Sequence, residues 1–432
     1  MQDKKRLRLL TNLILISIIL NVANSSFLTY DIAGNRTNSQ LGDVIAALRL
    51  PIVFLGLLIF FGSSSSKSRS AFFRINRDIV LFALVPWISI IFAPDKINAS
   101  FYTLWHTSIF ILILYFFFTA SKIYRPSEII FHVARLLIYG NILVLPFLIF
   151  DIDKVFQGNE LEMIYSNRTF YPYCLLTVIG SSLIILHFRK FLPFEVKKSF
   201  LLKFNSNFYY LLIAVCTLFI LASGRRAPLL VEIGLILYFI SFHWGRLPVA
   251  RFLSVSISLL LLFAIILNAQ SFIDKYKQDF ASLNRLSLVR YDSEEGLVEA
   301  DYTQSLAVRA ELVTSYSKIV ADYPVFGVGL YNGRIMHRQY YGSWILANFS
   351  THNTYLGILV ETGWVGFIIF LVILIRSGRY IIRANAFHRR LVLLLFIPAL
   401  MINFNEFNSL GGQVFFWPTV LAVILPRILN EK

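Results

Sequence analysis

The chain has 432 residues, 57% of them hydrophobic and only 15% charged, with 41 phenylalanines and a formal net charge of +16. A water-soluble fold of this size needs far more charge at its surface, so the composition excludes one and leaves an all-α polytopic membrane protein. The basic excess would suit a nucleic-acid binder, but its placement along the chain excludes that partner too.

Twelve stretches are apolar and long enough to cross a hydrocarbon core of about 30 Å. They fall near 9–27, 42–61, 78–94, 101–120, 129–150, 169–187, 207–222, 228–243, 252–270, 353–375, 391–405 and 413–428. With the N-terminus inside, 24 of the 40 Lys and Arg fall in inner segments and six in short outer loops; eight lie in one long outer loop and two, Arg49 and Arg135, inside spans. That asymmetry places both termini of a multi-pass membrane protein in the cytoplasm. The chain reads as a single transmembrane domain, 1–432, with a large outer loop at 271–352.

At the start, Lys4-Lys5-Arg6-Leu7-Arg8 leads straight into a full-length span without a small-residue cleavage site, so no cleaved leader is expected. Arg49 sits one to two turns inside the second span, near Asp43. An arginine there costs about 2.5 kcal/mol or more, so it faces protein or water, in a structural salt bridge or in substrate binding. Ser63 to Ser66 reads as a connector on the inner side. Arg135 reads as snorkelling or structural. Asp151-Ile152-Asp153 matches an acidic metal-binding pair only loosely, and helix termination explains it as well. Cys174 and Cys216 both fall in spans and read as apolar filler.

Ser223-Gly224-Arg225-Arg226-Ala227-Pro228 forms a minimal outer turn, where arginine is otherwise scarce. Two readings compete: snorkelling toward lipid phosphates, and paired guanidiniums holding a phosphate or diphosphate by forked hydrogen bonds. Arg309 is a third candidate for that anion, or an ordinary solvated helix charge. Within the long loop, 291–301 is acidic. From Ser305 to Ala321 apolar residues recur at helical spacing (Leu306, Val308, Leu312, Tyr316, Ile319, Val320). They predict an amphipathic helix lying on the membrane or on the bundle. Asp322-Tyr323-Pro324 ends it, and Gly327, Gly329 and Gly333 let the backbone turn tightly.

Of the histidines, His106, His337 and His352 map to the outer side. His352 opens the tenth span, followed by Asn353 and, about 13 Å deeper by helix rise, Glu361. An imidazole there serves as a general base near neutral pH, or simply caps the helix. Glu361 and the Asn403, Asn405, Glu406, Asn408 group bind sugar hydroxyls or hold helices together. No P-loop, GxSxG or HExxH occurs, so nothing points to nucleotide hydrolysis, serine chemistry or a zinc peptidase.

The stretch from Arg309 to Gly366 resembles the shared region of the bacterial O-antigen ligase and O-antigen polymerase superfamily. The resemblance rests on Arg309 with Glu311-Leu312, Pro324-Val325-Phe326-Gly327-Val328-Gly329, His352-Asn353-Thr354-Tyr355-Leu356 and Glu361-Thr362-Gly363. Ser223-Gly224-Arg225-Arg226 is similar to the family's Ser-Arg-Gly turn, displaced by one, so the equivalent arginine is either Arg225 or Arg226. Arg168-Thr169-Phe170 with Pro172 is a looser match.

The resemblance implies a metal-independent, inverting glycosyltransferase of the GT-C type, without a cofactor, working at the periplasmic face. Its donor would be an undecaprenyl-diphosphate-linked glycan and its acceptor a lipid A-core sugar or a lipid-linked repeat unit, a ligase or a polymerase respectively. His352 would be the base, and Arg225 or Arg226 with Arg309 would hold the diphosphate. Arg49, Arg168, Asn353, Glu361 and His337 complete the candidate substrate-binding set. The reading from another class is a lipid-linked-glycan transporter. Against it, the chain shows no internal repeat, and its polar candidates gather on the outer side rather than at the midplane.

Overall fold

The computed structural model describes residues 2–26, 28–30, 36–38, 77–150, 171–188, 205–223, 226–243, 312–341, 353–405 and 424–427, with isolated positions between 48 and 62 and at 152, 351 and 421. The spans read at 252–270 and over most of 42–61 and 413–428 lie outside the described residues, as does the acid pair Asp151 and Asp153.

Helix α1 spans Gln2–Ser26 and leads to a two-stranded antiparallel hairpin, β1 (Leu28–Tyr30) and β2 (Arg36–Asn38), in which Thr29 faces Thr37. This short ribbon is a small departure from the all-α expectation. Helix α2 (Arg77–Ser89) contains Pro86, which cannot donate to the preceding turn, and the helix tightens into a 3₁₀ turn at Ile90–Phe92. Asp95 then caps α3 (Lys96–Ile123), accepting from the Asn98 amide at 3.0 Å.

Helix α4 (Pro126–Asn141) continues into α5 (Val144–Phe150) across a two-residue break, where sequence reading placed one span. The order goes on with α6 (Tyr171–Phe188), α7 (Ser206–Ala222), α8 (Arg226–His243), α9 over 312–322, α10 (Gly333–Tyr341), α11 (Thr354–Arg383) and α12 (Ala386–Asn405). Three segments, Lys96–Ile123, Pro126–Phe150 and Thr354–Arg383, are long and apolar enough to cross a membrane.

The core gathers on α6, which packs against α4, α7, α8 and α12. Gly180 lets the α12 backbone come close: a Cβ there would stand 3.0 Å from the Leu394 carbonyl. Cys174 and Cys216 are buried in this core, as filler would be. Along another side α2 lies against α11. At the ends read as cytoplasmic, Asp78 takes a two-pronged bond from Arg427 (2.8 Å each) and faces Arg376 at 3.2 Å.

Candidate functional site

Helix α11 is broken where the family-like motifs meet. Gly363 stands at φ 64°, ψ −172°, outside helical geometry. In an unbroken helix the Val360 and Glu361 carbonyls would accept from the amides of Trp364 and Val365. Here Val328 and Gly329 donate to those carbonyls (3.0 Å each), while Trp364 and Val365 donate to Pro324 (2.8 Å) and Val325 (3.2 Å). The 324–329 loop therefore replaces both halves of the missing helical bonds, and the break leaves those four groups satisfied.

Two glycines make the fit possible. A Cβ on Gly327 would strike the Val360 carbonyl and Glu361, and one on Gly363 would strike the Val325 carbonyl and Phe326. Gly327 and Gly329 have φ of 68° and 85°, a region that residues with a Cβ avoid. The expected tight turn is present, and its partner is α11.

Beyond the loop, Tyr331 holds φ 66°. Its amide donates to Glu361 Oε1 at 2.8 Å, and its ring stacks on Tyr102 of α3 at 4.2 Å. Glu361 is 1% exposed, with Oε2 unbonded among the described residues and the Arg334 guanidinium within electrostatic reach. Asn332 clasps the α2–α3 turn: its Oδ1 accepts from the Asp95 amide (2.9 Å) and its Nδ2 donates to the Asp95 carbonyl (3.2 Å). Ser89 Oγ donates to the Phe326 carbonyl at 2.5 Å.

The amphipathic helix expected from Ser305 is described from 312. It lies on the bundle: Leu312, Tyr316 and Ile319 pack with Val328, Met336 and Val360 in a small second core. His337, fully buried on α10, stacks flat on Tyr316 at 4.7 Å. Burial pushes the Tyr316 phenol above its ordinary range and Glu361 adds to that, while Arg334 draws it back.

Three candidate residues thus gather around one core. Glu361 adjoins Val360, His337 adjoins Met336, and Asn353 caps α11 by accepting from the amide of Leu356, which packs on the same cluster. His352, Arg225, Arg309, Arg49 and Arg168 lie outside the described residues; Arg226 opens α8, with backbone alone described. Just inside the chain from these, the Tyr171 hydroxyl donates to the Phe219 carbonyl (3.1 Å), tying the start of α6 to the end of α7.

Sequence reading missed Tyr331, Asn332, Arg334 and the break at Gly363. Asn332-Gly333 carried a turn signal and Gly363 sat in the Glu-x-Gly motif; nothing marked Tyr331.

A family model described as O-antigen ligase matches residues 211–371. No curated protein matches the chain. The matched stretch takes in the arginine turn, the loop that heals α11, the Asn353 cap and Glu361. That match, over residues 211–371, supports the O-antigen ligase and O-antigen polymerase superfamily.

Proposed function

We propose that the protein is a glycosyltransferase that moves glycan from undecaprenyl diphosphate to an acceptor sugar hydroxyl at the periplasmic face. His352 takes the acceptor proton. Arg225 or Arg226, with Arg309, neutralises the departing diphosphate, so that fixed guanidiniums do the work without a metal. Attack opposite the diphosphate inverts the anomeric centre. Arg49, Arg168, Asn353, Glu361 and His337 shape the surroundings of the sugar.

The observation that carries this reading is how the neighbours of residue 352 are held. Thr351 is buried and donates to the Asn353 carbonyl (2.8 Å), and Asn353 caps α11. The residues on either side of position 352 are thus fixed to the start of α11. Contacts across the bundle support the periplasmic placement. Ser89 to Phe326, Asp95 to Asn332 and Tyr171 to Phe219 join ends that alternation puts outside. Asp78 to Arg427 and His187 to Phe387 join ends it puts inside.

The break in α11 is also the kind of feature transporters use for substrate. Here the carbonyls of Val360 and Glu361 and the amides of Trp364 and Val365 are all bonded to the chain's own loop. Acceptor identity separates ligase from polymerase, and we favour ligase with a lipid A-core acceptor.

The test is the lipid-linked species that accumulates in cells lacking the protein. Unattached long chains on the carrier identify a ligase and single repeats a polymerase; neither would sink both. His352→Ala should abolish transfer while glycan translocation continues. Arg225→Ala and Arg226→Ala, singly or together, should lower transfer by about tenfold or more at normal abundance. Wild-type transfer in both singles and the double removes the diphosphate clamp.

A further inference from the structure

Glu232 is the one acid in α8, 1% exposed, and six residues beyond Arg226. Its Oε1 meets Thr217 Oγ1 on α7, in a contact shorter than an ordinary hydrogen bond. Thr217 Oγ1 also stands 2.9 Å from the Ile213 carbonyl, which can only accept. A hydroxyl has one proton and two lone pairs. If that proton goes back to Ile213, the proton between Thr217 and Glu232 belongs to the carboxyl. A bare carboxylate with one partner in an apolar helix pair would be expensive, whereas the neutral acid donates to Thr217 and leaves only Oε2, a far weaker acceptor than a charged oxygen, without a bond among the described residues.

We propose that Glu232 is a positioning residue: as a neutral acid it pins α8 to α7 about 9 Å of helix below the turn and so fixes where Arg226 stands. The inference rests on the reading of that turn as the diphosphate clamp. The local structure supports it. The α7 end is already anchored to α6, by Tyr171 on the Phe219 carbonyl, and Ser223 at that end is buried. Only two residues separate Ser223 from the start of α8. With α7 fixed, the tilt of α8 decides the position of its first residue, and Glu232 is a buried polar tie between the two helices. Poor placement of a phosphate-binding arginine weakens donor binding before it touches chemistry.

The experiment uses the full chain in lipid nanodiscs with a synthetic undecaprenyl-diphosphate-linked oligosaccharide as donor. Glu232→Leu should raise KM for the donor by about fivefold or more and leave kcat within about twofold. Glu232→Gln, isosteric and able to donate to Thr217, should return KM to near the wild-type value. Thr217→Val should behave as Glu232→Leu, and Thr217→Ser as wild type, which keeps the test open if Glu232→Leu fails to accumulate. A Gln variant as impaired as Leu would show that a titrating carboxyl is required and overturn the proposal. Arg226→Ala, Arg225→Ala and the double variant are run beside them. Raised KM in Arg226→Ala with an unchanged Glu232→Leu overturns this inference alone, as does an unchanged KM in Arg226→Ala with a raised one in Arg225→Ala; unchanged KM in both singles and the double ends the clamp reading and this one with it.

Discussion

Glu361 divides its two oxygens between unlike surroundings. One oxygen holds Tyr331 in a left-handed conformation that a residue with a side chain adopts at a cost of about 1–3 kcal/mol. The other is buried without a partner among the described residues. Glu361→Ala removes the acceptor and leaves the Tyr331 amide unpaired, which costs about 1–3 kcal/mol. Thermal unfolding of the detergent-solubilised chain should register that loss. Glu361→Gln keeps the carbonyl acceptor and should unfold near the wild-type temperature. Transfer by the Gln variant then decides the second oxygen: full activity assigns Glu361 to the turn alone, while loss at normal stability assigns it to the sugar. His337 and Asn353 were legible as candidates, because polar residues beside a long apolar stretch stand out in the sequence. The partners that hold them were not, since Tyr316 and Leu356 meet them only once the loop has folded onto α11.

Helix ends were legible wherever a cap or a proline wrote them into the chain. The span read at 207–222 is α7 at 206–222, capped by Asn205, whose side chain accepts from the Phe208 amide. The span read at 353–375 runs on to Arg383, because hydropathy falls at Arg376 and Arg379 while the backbone stays helical until Ala384. Long basic side chains reach the interface from a helix that continues beneath them. The break at Gly363 was hidden for a different reason: its replacement bonds come from residues more than thirty positions earlier, and no local pattern encodes them. Gly327 and Gly363 are two sides of one joint, which makes their substitutions interdependent. Gly363→Ala and Gly327→Ala should each destabilise by about 1 kcal/mol or more, through strain at positive φ and collision with the opposing backbone. The double variant should cost less than the two combined, because a joint already opened by one cannot be opened again. Additive losses in unfolding temperature would mean that loop and helix are not coupled.

Across the whole molecule, two polar clasps sit at opposite ends of the α2–α11 pair. Near the site, Ser89 and Asn332 fix the loop to the α2 end and the α2–α3 turn; at the other end Asp78 binds Arg427 and Arg376. The two arginines are unequal. The Arg427 side chain is 4% exposed and doubly bonded, whereas that of Arg376 is 40% exposed at 3.2 Å. Breaking a buried pair by removing one partner costs about 3–5 kcal/mol, and an exposed one about 0–1. Arg427→Ala should therefore lower the unfolding temperature well below that of Arg376→Ala, and equal effects would contradict the burial difference. Sidedness, on which the chemistry depends, can be read directly, because both native cysteines are buried and leave a quiet background for thiol labelling. Lys318 is exposed on α9 and Ala386 at the start of α12. Alternation of the twelve spans puts the first in the periplasm and the second in the cytoplasm. A membrane-impermeant maleimide should modify Lys318→Cys in intact spheroplasts and Ala386→Cys only after the membrane is opened. Modification of both in intact spheroplasts would put the α9 and α12 positions on one face, and a periplasmic diphosphate site built on this topology could not stand.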